Sequence, residues 1–288
     1  MLYEIIKNLN VFNINEHFEI SPFKSLEDGQ EYNVWLLSSK SKNFVLKKSS
    51  KREISVYKEY LSSVFGTPAF IASTQYNGDE YILIEYVNGN SLTSLNKEQL
   101  AKIIYTLAHI QNKFWQTKEK PNVGISYEES LTSRINRGKY LLDSELERVY
   151  DKFLNCYKTL PKTLCHDDLL PFNALIGEDM AFLIDWEVAG ILPYPTPIAR
   201  LIAHAEEDKN CFFFMTNEAK KFAIDLYYNL LLKERNISYE EYISTLNLFI
   251  FYEYCEWIMV GNKYKSANMD LYNKYLNNAK QFITDNKL

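Results

Sequence analysis

One stretch limits the fold more than any other: Cys165-His166-Asp167-Asp168-Leu169-Leu170-Pro171-Phe172-Asn173, then Phe182-Leu183-Ile184-Asp185-Trp186-Glu187. It contains His-x-Asp-x-x-x-x-Asn and, a short turn later, an Asp that closes an apolar run. Phosphoryl transfer from a nucleotide needs groups in this order. One carboxylate sits beside the attacking hydroxyl, an amide oxygen takes a magnesium ion, and a second carboxylate bridges magnesium to the phosphates. An apolar strand leading into Asp185 sets the pattern apart from three coincidental positions.

Within the stretch, spacing to Asn173 selects Asp168 over Asp167 as the base or hydroxyl-orienting carboxylate. A group of that kind contributes roughly 10²–10⁴-fold in rate. Asp167 reads as a turn or cap residue. Asn173 and Asp185 supply oxygen ligands for Mg²⁺, a hard cation held by few protein groups plus phosphates. His166 has no second His nearby, so it reads as a buried His bonding to the loop backbone and not as a metal ligand.

Upstream, residues 29–86 alternate short apolar runs with polar turns. Tyr32-Asn33-Val34-Trp35-Leu36-Leu37, Asn43-Phe44-Val45-Leu46-Lys47 and Glu80-Tyr81-Ile82-Leu83-Ile84-Glu85-Tyr86 read as strands, the last after an Asn77-Gly78-Asp79 turn. Between the second and third, Ile54, Tyr57, Tyr60 and Leu61 recur at helical spacing. Strand alternation puts Lys47 and Lys48 on opposite faces, with Lys47 on the face of Val45. Only one can face a cleft, and Lys47 is expected to reach the phosphates with Glu53 as its carboxylate partner and Glu59 as the second choice. Residues 25–33 lie where a phosphate-covering turn belongs, with Gly29 as its single glycine. Glu85 and Val87, at the end of the third strand, can offer backbone groups to an adenine edge.

After Asn88-Gly89-Asn90 the period becomes helical. Leu100, Ile103, Ile104 and Leu107 follow Asn96 and Gln99, which resemble a capping box. Further helices are expected over residues 128–142, 144–159, 198–206, 218–235, 239–260 and 269–284. The expected architecture is α+β, with a small sheet-rich lobe over residues 1–87 and a larger helical lobe over residues 88–288.

At 288 residues the chain is long enough for two lobes with a full core. A net charge of −5 leaves no electrostatic footprint for nucleic acid. The four cysteines show no metal-type spacing and read as reduced thiols of a cytoplasmic protein. No membrane span is expected, because Glu253 and Glu256 interrupt the apolar run from Phe249 to Val260. The high Tyr content, 22 residues, reads chiefly as core and surface.

These residues resemble the aminoglycoside phosphotransferase and choline kinase superfamily, whose fold is protein-kinase-like. The likeness runs from about Leu26 to Ala205. Phe44-Val45-Leu46-Lys47 is similar to the phosphate-lysine strand, Arg52-Glu53 to the start of the paired-Glu helix, and Ile84-Glu85-Tyr86-Val87-Asn88-Gly89 to the interlobe hinge. Gln111 stands where a His is usual, Asp167 where a Gly is usual, and Pro197 where an Asp often opens the following helix.

The resemblance implies ATP, with GTP as the alternative, and Mg²⁺ as cofactors, and a small-molecule acceptor shaped by the C-terminal helices. The chain is expected to act as a monomer or homodimer. Glu206, Glu207, Asp208, Glu253, Glu256 and Trp257 are the acceptor candidates, since carboxylates and an aromatic face suit a cationic molecule of aminoglycoside type. Choline, ethanolamine or a sugar is the alternative acceptor. A non-catalytic nucleotide-binding regulator would be expected to lose one of Lys47, Asp168, Asn173 or Asp185, and all four are present. A protein-kinase role fits less well, because the stretch after Glu187 is short and Pro-rich.

Overall fold

The computed structural model describes residues 1–12, 17–24, 29–40, 42–264 and 269–288. The chain opens with helix α1 (Leu2–Leu9), then strands β1 (Glu19–Lys24), β2 (Glu31–Ser38) and β3 (Asn43–Ser49). Helix α2 (Lys51–Val56) follows, widening into a π-helical turn over Tyr57–Leu61, and β4 (Phe70–Tyr76) and β5 (Asp79–Glu85) complete an antiparallel sheet in the order β1-β2-β3-β5-β4. Ser50 caps α2 by accepting from the Glu53 amide (3.2 Å), which fixes the start of the helix beside the end of β3.

The sheet is sealed on both faces. Leu37, Leu46, Tyr81 and Leu83 pack under Ile5, Ile6 and Leu9 of α1. Ile82 and Ile84 face the other way, toward Ile54, Val56 and Tyr57 of α2. Lys47 shares this second side with Val45, as period-two alternation requires. Lys48 points out and pairs with Asp79 (2.9 Å).

The helical part begins with β6 (Asn90–Ser91) and α3 (Lys97–Lys113), and continues with α4 (Tyr127–Gly138), α5 (Ser144–Thr159) and β7 (Lys162–Cys165). The capping box expected at Asn96 and Gln99 is present at α3. Strands β8 (Ala174–Ile176), β9 (Ala181–Leu183) and β10 (Gly190–Pro193) carry the loops of interest, and α6 (Thr196–Ala203), α7 (Asn217–Tyr227), α8 (Tyr239–Tyr264) and α9 (Met269–Asn286) complete the chain. Leu100, Ile103 and Leu107 of α3, Phe153 and Tyr157 of α5, and Phe249 and Tyr252 of α8 belong to one core with Trp186. Tyr57, Tyr157, Tyr194, Tyr227 and Tyr242 are fully buried, so much of the tyrosine excess is core.

The two parts meet tightly at Gly66. Its backbone has φ +82°, and a Cβ there would lie 2.2 Å from Thr106 Cγ2 of α3. Its carbonyl accepts from the Leu183 amide at 2.8 Å. Among the described residues no helix is long and apolar enough to cross a membrane. The elements α1, β1 and β4, and the short strands β6, β7, β8 and β10, go beyond the sequence expectation. Two helices are shorter than expected, and α4 stops at Gly138 where residues 128–142 were expected to be helical. Residues 198–206 were expected to be helical to Glu206, but α6 stops at Ala203 because the Glu206 backbone exchanges hydrogen bonds with Phe213 and Met215 (both 3.0 Å).

Candidate active site

The nucleotide side is built around Lys47. Its ammonium lies 2.9 Å from Glu53 Oε1 and 2.6 Å from Asp185 Oδ1, joining β3, α2 and the loop after β9. Glu53 is only 1% exposed and also accepts from Ser49 Oγ at 2.6 Å. Glu59, the second choice, lies on the surface and pairs with Lys120 instead. Burial pushes the Lys47 ammonium toward its neutral form, and the two carboxylates outweigh that, so its pKa sits above the ordinary value. Burial likewise pushes the Asp185 carboxyl up, but the charge and hydrogen bond of Lys47 carry it below the usual range. Asp185 adopts φ 66°, a left-handed conformation rare for a residue with a side chain, at the turn that swings its carboxylate back to Lys47.

Two loops are stitched together here. The His166 ring donates from Nε2 to the Ile184 carbonyl (2.6 Å), because its Nδ1 accepts from the Asp168 amide (3.3 Å). The Ile184 amide donates to the Asn173 carbonyl (3.0 Å). The Asn173 amide nitrogen donates to the Asp168 carbonyl (2.8 Å), which leaves its side-chain oxygen as the acceptor for a hard cation. Asn173 and Asp185 thus offer the oxygen donors that Mg²⁺ takes, and the residues fit it. Burial raises the Asp168 carboxyl above its ordinary pKa, and Arg200 partly opposes this. The two carboxyls of the site are therefore pushed in opposite directions, Asp168 up by burial and Asp185, against burial, down by Lys47.

Asp167 is a buried ionic anchor. Both of its oxygens accept from Arg134 Nη2 (2.7 and 2.9 Å), and the guanidinium lies between the rings of Tyr157 (4.8 Å) and Tyr252 (5.0 Å). It is not a simple turn residue. Arg134, 33 residues earlier on α4, carries no sequence signal of this partnership.

The acceptor candidates are distributed differently from the expectation. Glu253 is 3% exposed and binds Arg200 Nη1 at 2.7 Å and His204 Nε2 at 3.1 Å. Glu256 accepts from Arg200 Nη1 (2.7 Å), from Tyr252 Oη (2.7 Å) and from Arg137. Both carboxylates share one face of α8, as their spacing requires, but that face meets α6. The triplet is scattered in a loop: Glu206 pairs with Lys274 (2.6 Å), Glu207 accepts from Asn217 Nδ2 (2.5 Å), and Asp208 accepts from the Asn210 amide (2.9 Å). Glu253 and Glu256 are thus tied to Arg200, and Glu206 to Lys274, whereas Glu207 and Asp208 are exposed and bond only neutral amides among the described residues.

Trp257 is 42% exposed, stacks on Tyr275 (5.9 Å, 24° between planes), and lines a cavity of 690 Å³. Tyr140, Tyr264, Arg200 and Glu256 also line it. Arg200, which touches Asp168, therefore connects the cavity to the candidate base. Among the remaining sequence candidates, Val87 is buried in the connector after β5, and Glu85 is exposed with its amide bonded to Ala69 (2.9 Å). Gly29 has φ +71° with open space around it, while residues 25–28 of the expected phosphate-covering turn lie outside the described residues. Gln111, in the place usual for a His, is buried; it donates to the Tyr194 carbonyl (3.0 Å) and accepts from Tyr227 Oη (2.5 Å).

Residues 22–210 match the model of the phosphotransferase enzyme family, APH. The chain belongs to this family. This phosphotransferase superposes on an amicoumacin kinase bound to AMP-PNP, Ca²⁺ and Ami with a TM-score of 0.67 and 13% identity, over 99% of this chain and 93% of that one. A choline kinase from Cryptosporidium parvum Iowa II gives a TM-score of 0.64 at 16% identity, over 98% and 96% of the two chains. At those identities the likeness is one of fold, α+β and kinase-like. In sequence, the protein LicA of Haemophilus influenzae is 24% identical over 179 residues, which cover 60% of this chain and 50% of LicA. The chain spans about half the length of that curated relative.

Proposed function

We propose that this phosphotransferase moves the γ-phosphate of ATP, with Mg²⁺, onto the hydroxyl of a small alcohol bearing a single onium group, of choline or ethanolamine type. The observation that carries the reaction is the meeting of Lys47, Glu53 and Asp185 beside the stitched loop of Asp168 and Asn173. Lys47, fixed between two carboxylates, is held where it can reach the α- and β-phosphates. Magnesium, when bound, neutralises charge on the triphosphate; Asn173 and Asp185 are the residues that would hold it. Asp168 takes the hydroxyl proton as the acceptor oxygen bonds to the γ-phosphorus and the bond to the β,γ-bridging oxygen breaks. The products are a phosphate monoester, ADP and one proton. The connector at Glu85 and Val87 is the candidate adenine edge, and a parallel assay with GTP tests that choice.

For the acceptor, the cavity favours one positive charge over many. The Lys263 ammonium, itself part of the lining, lies over the rings of Tyr140 (5.7 Å) and Tyr264 (4.9 Å), a place that a single onium group would take over from it. An aminoglycoside, the first expectation from sequence, calls for several carboxylates in the cavity, and of the candidates Glu256 lines it, already paired with Arg200, while Glu207 and Asp208 do not line it. The named activities of the choline kinase neighbours agree with a single-onium alcohol. ADP release should be followed with Mg·ATP and a panel of choline, ethanolamine, kanamycin and hexoses. Turnover is expected with choline or ethanolamine; turnover confined to kanamycin or a hexose rejects the acceptor reading, and no Mg·ATP binding at all rejects the reaction.

A further inference from the structure

We propose that Arg200 is a positioning and specificity-determining residue: one edge of its guanidinium orients Asp168, and the other neutralises Glu256, the carboxylate that lines the acceptor cavity, together with the buried Glu253. The inference rests on the reading of Asp168 and the cavity given above. Arg200 sits on α6, with the catalytic loop on one side and α8 on the other. Its Nε (3.1 Å) and Nη2 (2.9 Å) both bond to Oδ1 of Asp168. Two converging bonds hold that oxygen in place. Among the described residues the other oxygen, Oδ2, accepts from Asn173 Nδ2 at 3.5 Å, which leaves it to receive the hydroxyl.

The opposite edge has a different task. Nη1 bonds Glu253 Oε2 and Glu256 Oε2, both at 2.7 Å, and His204 Nε2 lies 3.0 Å away. Glu256 is the cavity's carboxylate, and its second oxygen is already taken by Tyr252 and Arg137. Both oxygens are therefore satisfied by protein donors. A polycation entering the cavity meets no unpaired negative charge, whereas a single onium group needs only the aromatic faces. The planar fork of arginine is what allows one residue to do both, since a lysine offers a point charge without the converging bonds.

The two tasks separate in variants. In Arg200→Met, kcat with the best acceptor is expected to fall roughly 10²-fold, as for a misplaced reacting group, while KM for Mg·ATP changes by less than about twofold. Millimolar guanidinium should restore part of the lost kcat. Binding of spermine, measured by calorimetry on the whole chain, should tighten about tenfold as Glu253 and Glu256 lose their internal cation. Arg200→Lys should lose kcat without gaining spermine affinity. If Arg200→Met does not fold, Arg200→Met/Glu253→Gln removes the stranded buried charge and should show the same kcat loss. A kcat within threefold of wild type, or a joint collapse of kcat and Mg·ATP affinity without guanidinium rescue, overturns the proposal. So does unchanged spermine binding in Arg200→Met. A wild type without turnover instead sinks the reaction reading, and the spermine measurement still decides the cavity-facing task.

Discussion

Two cations organise the cleft, and they are held in contrasting ways. Lys47 sits between two carboxylates from different parts of the fold, Glu53 and Asp185. Arg200 sits among three, Asp168, Glu253 and Glu256, all from the helical part. The lysine is a point charge that a phosphate can share. The arginine is a fork whose geometry fixes its partners. On the proposed function, the Lys47 centre is the one suited to exchange a partner on binding, and the Arg200 centre the one suited to resist rearrangement.

The contrast can be broken most directly at the base. Asp168→Asn keeps the shape of the loop but cannot take a proton, so kcat should fall about 10²–10⁴-fold with nucleotide affinity preserved; a loss of less than tenfold would remove Asp168 from the chemistry. Lys47→Met should lower kcat/KM for Mg·ATP by about 10²-fold, the scale of losing one preorganised electrostatic contact, and leave acceptor KM nearly unchanged. Steady-state kinetics with each substrate varied in turn reads the difference.

Stability separates the two centres next. Glu253→Ala leaves Arg200 without its most buried partner, and breaking a buried pair costs about 3–5 kcal/mol. The melting temperature should fall by roughly 10 °C by scanning calorimetry. The acid limb carries the same signature. Burial opposes ionisation of Glu253, but Arg200 and His204 overcome it and lower its pKa from 4.5 to about 2. The stability Glu253 contributes is complete above pH 4.5 and lost as the pH falls toward about 2. Urea unfolding across that window should decline more steeply for wild type than for Glu253→Gln, and parallel slopes would contradict the assignment. The smallest effect is expected at Lys48. It pairs with Asp79 on the outer face of the sheet, so Lys48→Ala should change kcat/KM less than twofold, and a large loss would reverse the assignment of faces on β3.

The nucleotide side was open to sequence reading because its signals are local. Lys47 and Glu53 are six residues apart on successive elements, and period-two alternation separates Lys47 from Lys48. The spacing from Asp168 to Asn173 and the apolar approach to Asp185 likewise picked out side chains that lie together in the fold. The acceptor side was not legible in this way. Glu253 and Glu256 share a helix face at any three-residue spacing, but which neighbour covers that face depends on Arg200, 53 residues earlier than Glu253. The same applies to Arg134, whose partner Asp167 lies 33 residues on. Strand β4 escaped notice because Ile71-Ala72-Ser73-Thr74-Gln75 has little apolar alternation. It lies at the edge of the sheet, where one side needs no partner strand.

The aromatic pair around Arg134 has a consequence for the working range of the enzyme. Counterions screen charges they can approach, over about 10 Å at 0.1 M salt. The guanidinium that grips Asp167 is closed off by Tyr157 on one side and Tyr252 on the other. Brine that loosens the outer pairs cannot reach it, so the loop carrying the base keeps its seat in conditions where the periphery of the molecule has relaxed.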